Sequence, residues 1–420
     1  MCSIGEDDFG DDGGVHSMEP KLENLNINDA SGICQKCNTE PVAVQLGYKE
    51  PECKTCFLMY VRHKFRASLG SSKILPKNAD VLLIFDGSPS SVTLLDMANF
   101  AQTQNTFKRL HCNLKVLVVD DTFLGHQEEE YLKKVLEILG KYDIDTYFTS
   151  LASTGPPIPV KEESEEKLRG PWVEEETKLK TMVEKIKTLT LRQDFITNHR
   201  KNIIREAALH LNSPFVFLSD ISPDLASVFL ANISLGRGSS TAHDIALLDE
   251  RIDNLKLIRP LKDLTGAEVQ YYIQFNDLPT VSFRTYGETV GTKMSSIQNL
   301  TKSFVENLQE KFPSTVSTVF RTGNKITTKS QLQPARNRCD EVVCRLCRSV
   351  IDLEESKTLF AVEFSRMASE FAANGLNDMS SLSEKARQQL QIDNDKQLCH
   401  ACRNIARNVS SSDVDFESFL

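Results

Sequence analysis

The sequence predicts an α/β fold with a doubly wound parallel sheet, and three short apolar runs carry that prediction. They lie at 81–85, 115–119 and 214–218. Each run is almost continuously apolar and of strand length, which indicates strands buried on both faces. Segments with helical periodicity separate the runs, and strands that alternate with helices favour a parallel sheet covered by helices.

The other elements follow in an order that fits this sheet. The first strand begins near residue 79 and leads through a turn rich in Gly and Ser into a helix. The second strand ends in two aspartates, and a helix and a further strand follow it. Predicted helices lie at 57–69, 92–102, 128–139, 194–211, 224–233, 265–274 and 301–311, and further strands at 145–149 and 255–258.

Composition divides the chain into five segments. They are a disordered acidic tail at 1–30, a zinc-binding module with a basic helix at 31–70, the α/β domain at 71–335, a C-terminal cysteine-pair module at 336–405 and a polar tail at 406–420. The tail holds eight acidic residues and one lysine, a composition typical of disorder. The stretch 152–178 is proline-rich and then strongly charged, so we expect a long surface insertion in the α/β domain.

The overall composition is that of a globular protein. Of the 420 residues, 40% are hydrophobic and 25% are charged, so a sizeable core is expected. No apolar run approaches the roughly 18 residues that cross a bilayer, so we expect no membrane partner. The N-terminal stretch is acidic and lacks the apolar part of a secretory signal, which predicts a location in the cytosol or the nucleus. The net charge of −9 limits any nucleic-acid surface to a local one.

Eight of the eleven cysteines fall in four Cys-x-x-Cys pairs, which indicates metal binding in a reducing compartment. The first two pairs are Cys34/Cys37 and Cys53/Cys56, and 15 residues separate them. This is the spacing of a structural zinc site, in which two tight turns supply four thiolates to one tetrahedral ion. Four unrelated buried thiols are the alternative.

The other two pairs, Cys344/Cys347 and Cys399/Cys402, lie 51 residues apart. They can meet around one metal if the segment between them folds back. Zinc is the expected ion, and an iron–sulfur cluster held by the same thiolates is the alternative. Cys112 lies between a helix and a buried strand, so we interpret it as a packing residue rather than a nucleophile.

The turn after the first strand has the shape of a phosphate-binding loop. It reads DGSPSS, and its candidate nucleotide-binding residues are Gly87, Ser88, Ser90 and Ser91. A strand, a Gly/Ser-rich turn and a helix N-terminus direct backbone N–H groups at an anion. Asp86, however, places negative charge beside the phosphates, and no lysine in the turn offsets it. We therefore expect ATP binding to be weak or absent, and an ordinary helix cap is the alternative use of the turn.

Two basic clusters are candidate RNA-binding surfaces. Their candidate contact residues are Arg62, Lys64 and Arg66 in the helix after the first cysteine pairs, and Arg200 and Lys201 in the helix before the third strand. In the second cluster, helical spacing places Arg192 and His199 on one face. Such clusters set affinity for phosphates without reading sequence. Solvated faces with paired charges explain them equally well.

Five stretches carry a resemblance to a known family. In order, they are VRHKFRASLG (61–70), VLLIFDGSPSS (81–91), FLANISLGRG (229–238), RPLKDLTGAEV (259–269) and FPSTVSTVFRT (312–322). Together with the C-terminal cysteine pairs they resemble the cytoplasmic tRNA 2-thiolation protein 2 family. The resemblance spans about residues 34–405. Each motif is modest alone, and their joint presence in this order makes the resemblance specific.

The resemblance implies the ATP-pyrophosphatase sheet of the adenine-nucleotide alpha-hydrolases. Catalytic relatives hold ATP on an SGGxDS-type loop and adenylate the wobble uridine of tRNA, after which sulfur displaces AMP. For this family it implies a heterodimer with the catalytic 2-thiolation protein 1, with tRNA and a thiocarboxylated ubiquitin-related modifier as further partners. The implied product is 5-methoxycarbonylmethyl-2-thiouridine in lysine, glutamate and glutamine tRNAs.

The sequence departs from the catalytic pattern at both loops. In the first loop, Asp86 and Ser88 replace the first Ser and the second Gly. Catalytic relatives carry a GHNxDD-like pattern at the second loop, where this chain reads LSDISPD (218–224). Asp220 and Asp224 remain there, but the His-Asn element is absent. We therefore expect a non-catalytic subunit; the alternatives are an ATP-dependent tRNA sulfurtransferase in its own right and a zinc-stabilised adaptor without an RNA role.

Overall fold

The computed structural model describes most of the chain between the two termini. The described residues are 32–70, 74–104, 109–125, 130–160, 168, 170–238, 240–252, 254–326, 342–351, 361–373, 383–384, 397–409 and 416–419. The tail predicted at 1–30 lies outside them, as do residues 410–415 and 420 of the polar tail predicted at 406–420. In the described part of the chain, no helix combines the length and the apolar character that spanning a membrane requires.

A single mixed sheet organises the described residues. Its strands are β1 (Ala79–Phe85), β2 (Cys112–Asp120), β3 (Asp145–Ser150), β4 (Ile158–Pro159), β5 (Phe215–Phe217), β6 (Leu248–Asp249) and β7 (Lys256–Ile258). They lie in the order β4-β3-β2-β1-β5-β7-β6. The inner strands β3, β2, β1, β5 and β7 are parallel, which confirms the predicted sheet. The short edge strands β4 and β6 are antiparallel.

The strand order reverses direction beside β1. Strands β2 and β3 add on one side of β1, whereas β5 and β7 add on the other. In open α/β sheets, ligands bind outside the carboxyl ends of the strands that flank such a switch point. The residues that follow β1 and β5 therefore occupy the position where this kind of fold builds its sites.

Helices cover both faces of the sheet. They are α1 (Lys54–Gly70), α2 (Pro89–Thr103), α3 (Tyr131–Leu139), α4 (Val173–Lys185), α5 (Leu189–His210), α6 (Ser222–Ser234), α7 (Thr241–Ile245), α8 (Gly266–Phe275), α9 (Tyr286–Val290), α10 (Ile297–Lys311), α11 (Pro313–Asn324), α12 (Ala361–Ala373) and α13 (His400–Arg407). Three short 3-10 turns lie at Thr122–Leu124, Gly170–Trp172 and Phe416–Phe419.

The two cysteine modules pack on opposite faces of the sheet. Successive side chains of β1 alternate between the faces, so Leu83 enters one apolar core and Leu82 the other. The core around Leu83 includes Phe57 of α1, next to the N-terminal cysteines. The core around Leu82 includes Cys402 and Ile405 of α13. Each module is thus anchored in a core of the α/β domain.

Two segments differ from the sequence-based expectation. The sequence patterns predict no helix at 313–324, yet this segment forms α11, which packs on α6 through the buried residues Val316 and Phe320. The stretch 152–178 was expected to be a surface insertion. Its described part instead pairs with β3 through β4 and buries Leu168 and Trp172 against the core. Apolar residues spaced along the segment thus attach its described part to the sheet, whereas residues 161–167 and 169 of its charged part lie outside the described residues.

Candidate metal centres and the cavity at the sheet edge

The first tetracysteine site lies between a short turn and the start of α1. Its sulfur atoms all lie within 4.8 Å of one another, and they belong to Cys34, Cys37, Cys53 and Cys56. The amide of Asn38 donates to the carbonyl oxygen of Cys34 at 2.8 Å, and Asn38 has a φ of 54°. This turn brings the first pair of thiols against the second pair, which lies at the N-terminus of the helix.

The second site repeats this local geometry, although its pairs are far apart in sequence. Its members, whose sulfur atoms also lie within 4.8 Å of one another, are Cys344, Cys347, Cys399 and Cys402. The amide of Arg348 donates to the carbonyl oxygen of Cys344 at 2.9 Å, and Arg348 has a φ of 58°. Cys399 is the N-cap residue of α13, which begins at His400. The structure therefore brings together both predicted sets of four cysteines.

Both sites have the dimensions of a site for one metal ion. With metal–sulfur bonds of about 2.3 Å, two thiolates of a tetrahedral centre lie roughly 3.8 Å apart. Cys37 Sγ lies 3.8 Å from Cys53 Sγ, and Cys347 Sγ lies 3.5 Å from Cys399 Sγ. Hydrogen bonds from the Thr39 side chain and from backbone amides lower the pKa of Cys37 to about 6. This favours the thiolate form that binds metal.

Cys112 differs from the clustered cysteines. It begins β2, at the opposite end of the strand from the carboxyl edge. Burial raises the pKa of its thiol to about 11, and Gln102 Nε2 donates to its Sγ at 3.4 Å. A thiol that stays protonated at neutral pH is a poor nucleophile, in keeping with a packing residue.

The turn after β1 forms its hydrogen bonds within itself. The carboxylate of Asp86 accepts from the amide of Ser88 at 3.0 Å. The hydroxyl oxygen of Ser88, the cap of α2, accepts from the amide of Ser91 at 3.3 Å. Ser91 is fully buried and donates its own hydroxyl to the carbonyl oxygen of Ser88. Ser90 lies half-buried in the first turn of α2. Of the alternatives for this turn, a helix cap is the one its hydrogen bonds form, with Ser88 as the capping residue.

Gly87 is required by the path of this turn. It has a φ of 74°, in the left-handed region that favours glycine. A Cβ atom added there would lie 3.1 Å from both Val135 Cγ2 and Val281 Cβ. The carbonyl oxygen of Gly87 also accepts from the amide of Val281 at 2.8 Å. The turn is therefore held tightly between α3 and the segment after α8.

A cavity of about 280 Å³ opens at the switch point of the sheet. Residues after β1 and β5, among them Asp86 and Asp220, form one side of it. Helix α5 contributes both acidic and basic side chains to the opposite side. The charged residues that line the cavity are Asp86, Asp194, Arg200, Lys201, Asp220, Arg237, Asp244 and Arg259. The cavity thus lies where the fold class places its ligands.

The cations of this cavity all pair with carboxylates. Arg200 lies 3.0 Å from Asp121, and Lys201 lies 2.9 Å from Asp244. The other two pairs are Arg237–Asp194 at 2.7 Å and Arg259–Asp220 at 3.1 Å. An anionic ligand would have to displace these carboxylates, so the cavity is poorly suited to a triphosphate.

The two acidic residues retained after β5 have structural contacts. Asp220 pairs with Arg259, whose side chain is only 2% exposed. Asp224 accepts from the amide of Ile221 at 3.3 Å, at the start of α6. Burial, together with the negative charge of Asp220, raises the pKa of Asp224 to about 6.

The basic side chains of α1 lie in two different environments. Lys64 pairs with Glu268 at 2.8 Å, and the side chain of Glu268 is fully buried. Arg62 lies 3.7 Å from the centre of the Phe100 ring, and Arg66 donates to Gln104. A second cavity of about 660 Å³ lies beside these residues, and its lining includes Lys36, Tyr60, Arg62, His63, Arg66 and Phe100. Lys64 is not part of that lining, so the structure separates it from Arg62 and Arg66.

The second basic cluster is less exposed than its sequence suggests. His199 is buried, stacks on Phe195 and forms a hydrogen bond with the carbonyl oxygen of Leu151. Burial lowers its pKa to about 4. Arg192 donates to the carbonyl oxygen of Ile186. Arg192 and His199 lie two turns apart on α5, but the helix packs into the core at His199, so His199 is not available as a surface contact.

Sequence reasoning missed the buried arginines. Arg237 and Arg259 are 5% and 2% exposed, respectively, and their partners lie 43 and 39 residues away in the chain. Both arginines fall inside stretches that carry the family resemblance, FLANISLGRG and RPLKDLTGAEV. The resemblance therefore marked both arginines as candidates. Their ion pairs could not be predicted, because these depend on how α5, α6 and β7 meet.

These features define a class: an α/β protein with a doubly wound, mainly parallel sheet, and with two tetracysteine sites that can hold metal. The solved U34-tRNA thiolase NcsA from Methanococcus maripaludis, with its 4Fe-4S cluster, shares the fold. It superposes with a TM-score of 0.52, covering 75% of this chain and 95% of that chain at 17% sequence identity.

The chain belongs to the cytoplasmic tRNA 2-thiolation protein 2 family. The family model with that description matches residues 296–404. The cytoplasmic tRNA 2-thiolation protein 2 of Drosophila willistoni is 42% identical over 416 residues, which cover 96% of this chain and 99% of the relative. The protein of that name from Drosophila melanogaster is 43% identical over 420 residues, covering 99% of this chain and all of the relative.

Proposed function

We propose that this chain acts in the cytoplasm in 2-thiolation of the wobble uridine of tRNA, as the non-catalytic subunit of a heterodimer with the catalytic 2-thiolation protein 1. The names of the relatives support the pathway and the compartment. The fold shared with a U34-tRNA thiolase is consistent with a role in the same modification. The modified nucleoside would be 5-methoxycarbonylmethyl-2-thiouridine in lysine, glutamate and glutamine tRNAs.

One observation carries the non-catalytic assignment: the turn after β1 uses its own groups where a catalytic loop would use phosphate. The amide of Ser88 donates to Asp86, and the amide of Ser91 donates to Ser88. Amides engaged in this way are not available to ATP, and Asp86 would repel it. The paired charges of the cavity also disfavour ATP binding. Adenylation would therefore take place in the partner subunit.

The division of labour follows from this assignment. The catalytic paralogue would bind ATP and accept sulfur from the thiocarboxylated ubiquitin-related modifier. This chain would supply a rigid scaffold and part of the tRNA surface. Arg62 and Arg66 are the favoured contacts, because they line an open cavity next to the N-terminal cysteines. Lys64, Arg200 and Lys201 pair with carboxylates of the chain and would contribute less.

We assign one zinc ion to each tetracysteine site. In both sites all four sulfur atoms lie within 4.8 Å of one another, a spacing that suits bonds to a single tetrahedral ion. A four-iron cluster would place separate iron atoms, with bridging sulfides, between the cysteines and hold their sulfurs further apart. Zinc would tie each pair of turns together and contribute folding free energy.

The proposal is tested in cells that lack this chain. Mass spectrometry of digested tRNA should show loss of wobble 2-thiouridine, and the wild-type chain should restore it. The variant Ser90→Ala should restore it equally, because a non-catalytic loop has no role for that hydroxyl. Normal 2-thiouridine without the chain would contradict the role in thiolation. Failure of Ser90→Ala in a folded protein would contradict the non-catalytic assignment.

A further inference from the structure

A buried guanidinium lies beside the C-terminal cysteine site. The side chain of Arg237 is 4% exposed, and its Nη2 lies 2.7 Å from the carboxylate of Asp194. The same Nη2 lies 3.4 Å from Cys402 Sγ, and Nη1 lies 3.8 Å from Cys399 Sγ. One arginine thus donates both to a carboxylate and to two of the four sulfurs.

The backbone around Arg237 fixes its position. Its amide donates to the carbonyl oxygen of Asn232 at 2.8 Å, and its carbonyl oxygen accepts from Thr241 at 3.0 Å. Gly236 has a φ of 76°, and a Cβ added there would lie 3.1 Å from His400 Cδ2. The loop between α6 and α7 therefore passes directly beneath the start of α13 and presents Arg237 to the cysteines.

We propose that Arg237 is a positioning residue that stabilises a dianionic metal–thiolate centre and slows loss of its metal. A divalent ion with four thiolates carries a net charge of −2, and Cys344 and Cys402 are fully buried. Buried charge is costly unless a partner of opposite sign offsets it. Hydrogen bonds from outside the ligand set also orient the ligands and tune the metal. This inference goes beyond the proposed function and does not rest on it.

The N-terminal centre provides a contrast inside the same molecule. Its described sulfur hydrogen bonds come from uncharged donors, such as the amide of Cys56 to Cys53 Sγ at 3.4 Å and the side chain of Thr39 to Cys37. The charged side chain beside Cys53 is a carboxylate, that of Glu40. The two centres share ligands and spacing but differ in the charge beside them, so their metals should leave at different rates.

The difference is measurable in the full-length protein loaded with cobalt(II) alone. A chelator should remove the metal in two phases, and Cys34→Ser identifies the phase that belongs to the N-terminal centre. Arg237→Gln should accelerate the C-terminal phase by at least about tenfold and leave the N-terminal phase unchanged. In Arg237→Gln, the sulfur-to-cobalt charge-transfer band of the C-terminal centre should move to lower energy. A thiolate that loses a hydrogen bond donates its electrons to the metal more readily.

Several outcomes would overturn the proposal. Unchanged release in Arg237→Gln is one, and equal acceleration of both phases, which indicates general loosening, is another. If Arg237→Gln does not fold, Arg237→Lys keeps a cation but loses the forked donors, and its charge-transfer band must still move. An unmoved band in Arg237→Lys would overturn the hydrogen bond from Arg237 to sulfur.

Discussion

The carboxylate of Asp86 accepts a hydrogen bond from the amide of Ser88, with the two atoms 3.0 Å apart. A phosphate bound at a helix N-terminus relies on amides of this kind. In this chain a carboxylate of the same turn engages that amide, so the amide is not available to a phosphate. The helix that follows keeps its cap, with Ser88 as the capping residue.

The isolated chain should bind ATP weakly and release no pyrophosphate. Calorimetry and a pyrophosphate assay measure the two properties. Asp86→Ser should increase ATP affinity, because it removes the charge that repels phosphate. Asp80→Ser, at the opposite end of β1, is the matched control and should have no effect. Low-micromolar ATP affinity in the wild-type chain would show that Asp86 and the hydrogen bonds within the turn do not exclude the nucleotide.

Sequence patterns predicted what depends on local spacing. The apolar runs and the Cys-x-x-Cys pairs predicted the parallel sheet and the two sets of four thiols, because each run and each pair is encoded in a few neighbouring residues. Helix α11 was missed because its β-branched and small residues are weak helix formers. Its existence depends on Val316 and Phe320 packing against α6. The ion pairs of the cavity join side chains from separate elements, and no pattern in the sequence specifies them.

Cys34→Ser should remove metal from the N-terminal centre and destabilise the module around α1. Thiolate–metal bonds contribute folding free energy, and three thiolates hold the ion less well than four. Elemental analysis should show about half the wild-type metal content, since the second site retains its four cysteines. Cys112→Ser, at a cysteine outside both sites, should keep the full content. Protein purified without chelator that contains neither zinc nor iron would contradict both metal assignments.

Replacing Arg62 and Arg66 together with Ala should weaken tRNA binding by the assembled complex. Both side chains line the cavity beside α1, and each lost phosphate contact should reduce the slope of log affinity against log salt by about one. Filter binding across a salt series measures this slope. Lys178→Ala, at a lysine whose side chain is 63% exposed on α4, is the control. Equal affinity and slope in the double variant would exclude this surface.

Asp224→Asn should stabilise the protein at neutral pH. The pKa of Asp224 rises from 3.8 to about 6 on folding, so the folded state holds its proton more tightly. Ionisation above pH 6 therefore costs stability, by roughly 3 kcal/mol at most. The difference in free energy of unfolding between variant and wild type should be largest near pH 7 and vanish below about pH 4. Urea unfolding across this pH range measures the difference in free energy of unfolding. A difference that does not depend on pH would contradict the raised pKa of Asp224.

The central claim is that this chain is necessary for tRNA thiolation without performing the adenylation. Purified 2-thiolation protein 1, tRNA, ATP and thiocarboxylated modifier should produce 2-thiouridine only when this chain is added. A partner with an inactivated ATP loop should give no product, whereas Asp86→Ala in this chain should leave the yield unchanged. Thiolation by this chain in the absence of the partner, or full thiolation by the partner in the absence of this chain, would contradict the account.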